Sequence, residues 1–178
     1  METERDILRA LDRLVWEPRA AAFLTGLVDE VAAVLSRDPA ARLAWRTVPL
    51  DVYAGLPDGI ASSWVFVLRA GCSSGAERHP NSIQRVMSYR GGADMRTWNG
   101  QRWVSSYLRS GLDAEIEERW LSIPAHVWHR PVMADVDWAV VSFHTASDRE
   151  LIEELPIDDE HPDRGARAAE VSAGREAR

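Results

Sequence analysis

The chain opens on a helical pattern and changes to a strand pattern near Leu43. Ile7, Leu8, Leu11, Leu14 and Val15 recur at the spacing of one helix face. Thr3 stands before them with Asp6 three residues on, a capping pair that predicts the helix start. Glu17-Pro18 interrupts the pattern, and Pro18 suits the first turn of a second helix. Leu24, Leu27, Val28, Val31 and Leu35 form the stripe of that helix, which ends between Ser36 and Pro39. Two amphipathic helices need a surface to bury against. They are expected either to cover one face of the next unit or to build a dimer contact. Their polar faces mix acids with arginines, which argues against a lipid surface.

From Leu43 the runs shorten and fill with β-branched and aromatic residues: TVPLDVY, SSWVFVLRA, QRVMSY, DMRTW, QRWVSSYL, RWLSIP and DWAVVSFHT. GLPDG, GCSSG, GG, NG and SG separate them as turn signals. Asn99-Gly100 predicts a two-residue hairpin that pairs Trp98 with Gln101 and sets Trp98 and Trp103 diagonally on one face. Seven of the eight tryptophans lie between Trp45 and Trp138, and their first expected role is to fill the core. Short strands without intervening helices predict a mainly β fold, a sandwich or barrel. After His144, Ser147 and Glu150 predict a capping box for a short C-terminal helix over 148–155, ended by Pro156. Residues 156–178 are polar and expected to be disordered. The expected organisation is therefore a helical extension over 1–42, a β-barrel over 43–155 and a tail over 156–178.

At 178 residues the chain is long enough for one domain with a sizeable core. The net charge of −7 argues against nucleic acid and anionic membranes as partners. No helix-turn-helix pattern is recognisable in the first forty residues. Cys72 is the sole cysteine, so no intramolecular disulfide forms, which fits a reducing compartment. METERDILRALDRL has no secretory apolar core, and no apolar run reaches membrane-spanning length. The expectation is a cytoplasmic protein.

The chemistry concentrates between Gly71 and Gly91. Glu77 and His79 are two apart, so on a strand both point to one face. Pro80 ends that strand, Asn81 and Ser82 turn the chain, and Gln84 opens QRVMSY. A hairpin would bring Glu77, His79 and Gln84 together at one end. His144 shares strand parity with Trp138, Val140 and Ser142. Facing inward, it would be a ligand-binding or acid/base residue. His126, on a turn, and Tyr89 are further catalytic candidates. Trp64, Phe66, Val86, Trp103, Trp120, Trp128 and Phe143 are candidate pocket walls. Arg69, Arg85, Arg96 or Arg102, pointing inward, would clamp a substrate carboxylate.

The β region resembles a cupin, the double-stranded β-helix of the germin and RmlC-like type. The resemblance rests on Gly71, Glu77, His79, Gln84 and Gly91, which carry the spacing of the first cupin motif. There the family has Gly, His, His, Glu and Gly. Pro124, His126 and His129 stand at the Pro, Gly and His positions of the second motif, while Glu118 and Met133 replace its opening Gly and closing Asn. The resemblance spans about Trp45 to Leu155. It implies a metal site of Glu77, His79, Gln84 and His129. Two histidines and one carboxylate favour Fe(II), with Ni, Mn or Zn as alternatives. The implied function is a metal-binding cupin acting on a small organic molecule, as a dioxygenase or a metal-assisted lyase or isomerase, and the family habit is a homodimer. The competing expectation is a metal-free cupin, either a small-ligand binder or a sugar isomerase. In it Glu77 would pair with Arg78, Arg85 or a protonated His129.

Overall fold

The computed structural model describes residues 3–169. Helix α1 spans Glu4–Val15 and α2 spans Pro18–Arg37. The expected cap forms: the Asp6 amide donates to Thr3 Oγ1 at 3.3 Å and the Thr3 amide donates to Asp6 Oδ2 at 3.2 Å. Strands β1 (Leu43–Thr47), β2 (Ser62–Leu68), β3 (Gln84–Arg90), β4 (Gly92–Trp98), β5 (Trp103–Val104) and β6 (Tyr107–Arg109) follow. A helical turn α3 (Ile116–Arg119) leads into β7 (Trp120–Ile123), β8 (His129–Met133) and β9 (Trp138–His144). The described chain ends with β10 (Glu154–Pro156), a 3-10 turn at Pro162–Arg164 and β11 (Ala166–Ala168).

Five strands form one sheet in the order β1-β2-β9-β3-β7. Side chains alternate across it, and both faces are buried. Val65, Val67, Met87, Tyr89, Val141 and Phe143 face outward into a cluster with Leu11, Leu14, Leu24, Val28 and Leu35 of the two helices. Phe66, Leu68, Val86, Trp138 and Val140 face inward, into a second cluster with Ala93, Met95, Leu108 and Met133. The helices therefore roof the outside of this sheet. Their stripes, which had suggested a dimer contact, are covered within the chain. Each buried Leu, Val or Phe contributes roughly 1.5–3 kcal/mol.

The second sheet is built on β4, which pairs with β5, β6 and β8. The chain steps from β3 into it at Gly91-Gly92. Gly91 has φ 81°, and a Cβ there would lie 2.7 Å from the Asp137 carbonyl oxygen. Only glycine fits this step. Arg119 fastens α1 to the barrel, with Nε and Nη2 donating to Asp12 at 2.9 and 2.8 Å and Nη1 donating to the Gly111 and Ala114 carbonyls.

Several expectations are corrected. TVPLDVY divides at Pro49 into the end of β1 and a 3-10 turn at Leu50–Val52. Trp98 pairs with Trp103, not Gln101, because Asn99 Oδ1 accepts from the Gln101 and Arg102 amides and holds a longer loop. The Ser147–Glu150 pair forms, but it closes one turn only. Glu154–Pro156 is a strand, since the Arg78 backbone and β11 offer it hydrogen bonds. Among the described residues the C-terminal helical element is the 3-10 turn instead. The segment expected to be disordered is placed through Ala169, with Trp98 and Trp103 donating to Asp163 and to the Asp159 carbonyl. Residues 170–178 lie outside the described residues.

Candidate metal centre

Glu77 is held against β8. Its amide donates to the His129 carbonyl and the His129 amide donates back, each at 2.9 Å. Residues opposed in this way project to one face. Arg78 pairs likewise with Glu154 on the other side. The expected hairpin between Glu77–His79 and QRVMSY does not form; β3 pairs with β7 and β9 instead. The chain does turn here, at Pro80-Asn81 rather than at Asn81-Ser82.

His129 Nε2 lies 3.4 Å from Glu77 Oε1, and His79 Nε2 lies 3.9 Å from the same oxygen. One ligand atom from each residue falls within 4.8 Å of the others. The far side of each ring fixes its tautomer. His129 Nδ1 is 3.1 Å from the Val127 carbonyl, and His79 Nδ1 is 3.2 Å from the Ile152 carbonyl. A carbonyl only accepts, so both Nδ1 atoms carry hydrogen, and in the neutral rings both Nε2 atoms present lone pairs. His129 Nε2 is buried and makes no hydrogen bond. With both rings neutral, two lone pairs and a carboxylate oxygen converge here. A divalent cation fits that donor set, and the backbone carbonyls are the outer partners that orient metal-binding histidines.

Burial works against ionisation of Glu77, but the facing His129, with His79 and His144, outweighs it and holds the carboxyl down at about 2. Burial lowers the His79 pKa below the usual histidine range, against the pull of Glu77. Burial and then His79 lower His144 to about 3, so its ring is neutral. His144 stacks edge-on against His79, with ring centroids 5.3 Å apart. Its Nε2 is 3.3 Å from Ser142 Oγ.

Gln84 is directly opposite His144 in the β3–β9 pairing, on the same inner face as Val86. Its Oε1 is buried without a hydrogen-bond partner. That oxygen is a further acceptor beside the histidines. His126 is exposed on its turn with φ 67°, a glycine-like conformation at a position where the cupin motif has Gly. Its amide donates to the His79 carbonyl at 3.1 Å. Tyr89 is on the outer face, where its hydroxyl contacts Thr25 Oγ1 at 2.8 Å, away from the centre. Arg69 donates to the carbonyls of Leu35, Asp38 and Ala41; Arg85 pairs with Glu4 and Arg96 with Asp94. These three arginines clamp no ligand, and Glu77 has neither Arg78 nor Arg85 as its partner. Of the expected walls, Trp64, Phe66 and Val86 line the inner face. Trp120 and Phe143 belong to the helix-covered core, Trp103 lies under Arg130, and Trp128 lies under Arg78.

The sequence reading missed Glu153. Because Arg78 opposes Glu154, their neighbours His79 and Glu153 share the opposite face, towards Glu77. Burial, and then the Glu77 charge, push the Glu153 carboxyl up to about 7. Nothing local marks this residue, because DRELIEEL consists mostly of good helix formers.

No family model matches the chain, and no curated protein does. Solved structures do resemble it. Coconut allergen cocosin matches with TM-score 0.50 and 13% identity over 66% of this chain and 29% of that one. An oxalate oxidase in complex with the substrate analogue glycolate gives TM-score 0.47 and 14% identity over 61% of this chain and 53% of that one, so the match spans about half its length. KdgF from Halomonas sp. gives TM-score 0.45 and 12% identity over 63% of this chain and 88% of that one. Two sheets built of short strands, the spacing from Gly71 to Gly91 and the likeness to cocosin together identify the fold of this chain as the cupin double-stranded β-helix.

Proposed function

We propose that the protein is a metal-dependent cupin enzyme acting on a small organic molecule. Glu77, His79 and His129 would hold the cation, and Gln84 Oε1 would assist as a neutral oxygen ligand. The observation that carries this reading is the convergence of His79 Nε2 and His129 Nε2 on Glu77 Oε1, each ring held from behind by a backbone carbonyl. A two-histidine, one-carboxylate set with open positions favours Fe(II), with Ni, Mn or Zn as alternatives. When bound, such an ion supplies Lewis acidity towards a carbonyl or a site for oxygen chemistry, which gives a dioxygenase or a lyase or isomerase acting through an enolate. The chain's own residues supply the rest. The Ile152 and Val127 carbonyls orient the ligand rings. Glu153, with its raised pKa, is placed to hold and release a proton on the face of Glu77. Trp45, Trp64 and Phe66 shield the inner face from water.

The test is metal content by plasma mass spectrometry on untagged protein and on Glu77→Ala. Near-stoichiometric iron, nickel, manganese or zinc, lost in the variant, is the expected result. Absence of metal after reconstitution overturns the reading and leaves Glu77 and His79 an acid/base or structural role.

A further inference from the structure

The orphaned polar atoms on the inner face divide into two chemical kinds. Gln84 Oε1 and His129 Nε2 are acceptors, as a cation requires. Trp64 Nε1 and His144 Nδ1 are also buried without partners. Indole N–H only donates. The Ser142 contact settles His144. If Nε2 accepts from the Ser142 hydroxyl, only Nδ1–H is left over. The other tautomer would orphan both the Ser142 hydrogen and the Nδ1 lone pair, a costlier arrangement in a buried strand. Both atoms are therefore N–H donors. They lie on neighbouring strands, with Trp64 opposite Ser142 and ring centroids of Trp64 and His144 5.4 Å apart. Trp16 and Trp128 also carry orphaned indole N–H groups, but Trp16 stacks on Tyr89 of the outer face and Trp128 lies under Arg78. Neither has a second unpartnered donor described beside it.

We propose that Trp64 Nε1–H and His144 Nδ1–H form an oxygen-binding subsite for a small unsaturated monocarboxylate, a 2-oxo acid being the simplest. The inference rests on the metal reading above. A cation held by Glu77, His79 and His129 would attract the carboxylate of such a ligand. Two uncharged donors then receive a ligand oxygen that the metal does not take, with no arginine among those the sequence had suggested as a clamp. The stacked pair Trp45–Trp64, with ring centroids 5.1 Å apart, and Phe66 give a flat wall suited to a planar ligand.

The probe is pyruvate, titrated into zinc-loaded, ¹⁵N-labelled protein. The Trp64 indole resonance is assigned by its loss in Trp64→Phe, a change that keeps an aromatic ring and removes the donor. Pyruvate is expected to move that resonance, and its affinity in Trp64→Phe is expected to fall about tenfold or more with zinc stoichiometry unchanged. Pyruvamide, which lacks the charge, is expected to bind more weakly. With zinc bound, an unmoved Trp64 resonance or equal pyruvate affinity in the variant overturns the subsite and leaves the metal reading intact. Failure to bind zinc overturns the metal reading. The subsite is then read on the same resonance in metal-free protein, where an unmoved peak overturns it too.

Discussion

Glu77 and His129 are joined by both of their backbone hydrogen bonds, yet their side chains meet at 3.4 Å without one. The backbone fixes the two residues opposite each other, and the Val127 carbonyl turns the imidazole so that its lone pair faces the carboxylate. A positive charge between them would make this arrangement favourable, and the proposed cation would supply one.

Metal should therefore stabilise the fold, and Glu77→Gln should abolish that effect. At free metal about a hundredfold above its dissociation constant, the gain is about 2.7 kcal/mol. For a chain of this size that raises Tm by roughly 5–10 °C. Calorimetry with and without added Mn or Zn checks it. An equal shift in Glu77→Gln would place the binding elsewhere.

The metal-free protein should lose stability on acidification because of His144. The unfolded chain takes up this proton near the ordinary value of 6.5, the folded chain only near 3. Stability from this group is complete above the first value. It falls as pH drops between the two, by about 1.4 kcal/mol per pH unit. His144→Phe should flatten the denaturation midpoint against pH in that window. An unchanged slope would show that His144 does not carry the effect.

Glu153 should act in the opposite sense. Its folded pKa is raised from 4.5 to about 7, so the folded state keeps a proton that the unfolded chain releases, and stability falls as pH rises through that interval. Glu153→Gln should raise the Tm of metal-free protein above pH 7 and leave it nearly unchanged below 4.5. A pH-independent difference would remove Glu153 from the neighbourhood of Glu77.

Asp12→Ala should destabilise by about 3–5 kcal/mol, because it leaves the buried Arg119 guanidinium without its carboxylate. The Trp120 Nε1 donor, 2.7 Å from Asp12 Oδ1, loses its acceptor as well. Urea denaturation measures this directly. A loss under 1 kcal/mol would mean that α1 is held chiefly by its apolar stripe.

Helix positions were legible because the stripes of Leu11 to Val15 and Leu24 to Leu35 answer to a single sheet face. The shared face of Glu77 and His79 followed from strand alternation alone. Their pairing did not, since Pro80 marks where a strand ends and says nothing of which strand lies beside it. The strand opposite Glu77 comes from His129, and the one opposite Arg78 from Glu154. The latter sits in a run of good helix formers that tertiary hydrogen bonding turned into a strand. Likewise, Asn99-Gly100 marked a turn, but the Asn99 side chain chose the longer loop.

His79 takes its orientation from the carbonyl of Ile152, a residue 73 positions further along the chain. During synthesis the proposed ligands Glu77, His79 and His129 leave the ribosome before the group that orients the His79 ring. A nascent chain halted before Ile152 would therefore hold the three ligands without a fixed tautomer. On the proposed function, the centre would become competent to select a cation only after the last strands have closed, which would make metal loading a late, post-folding event.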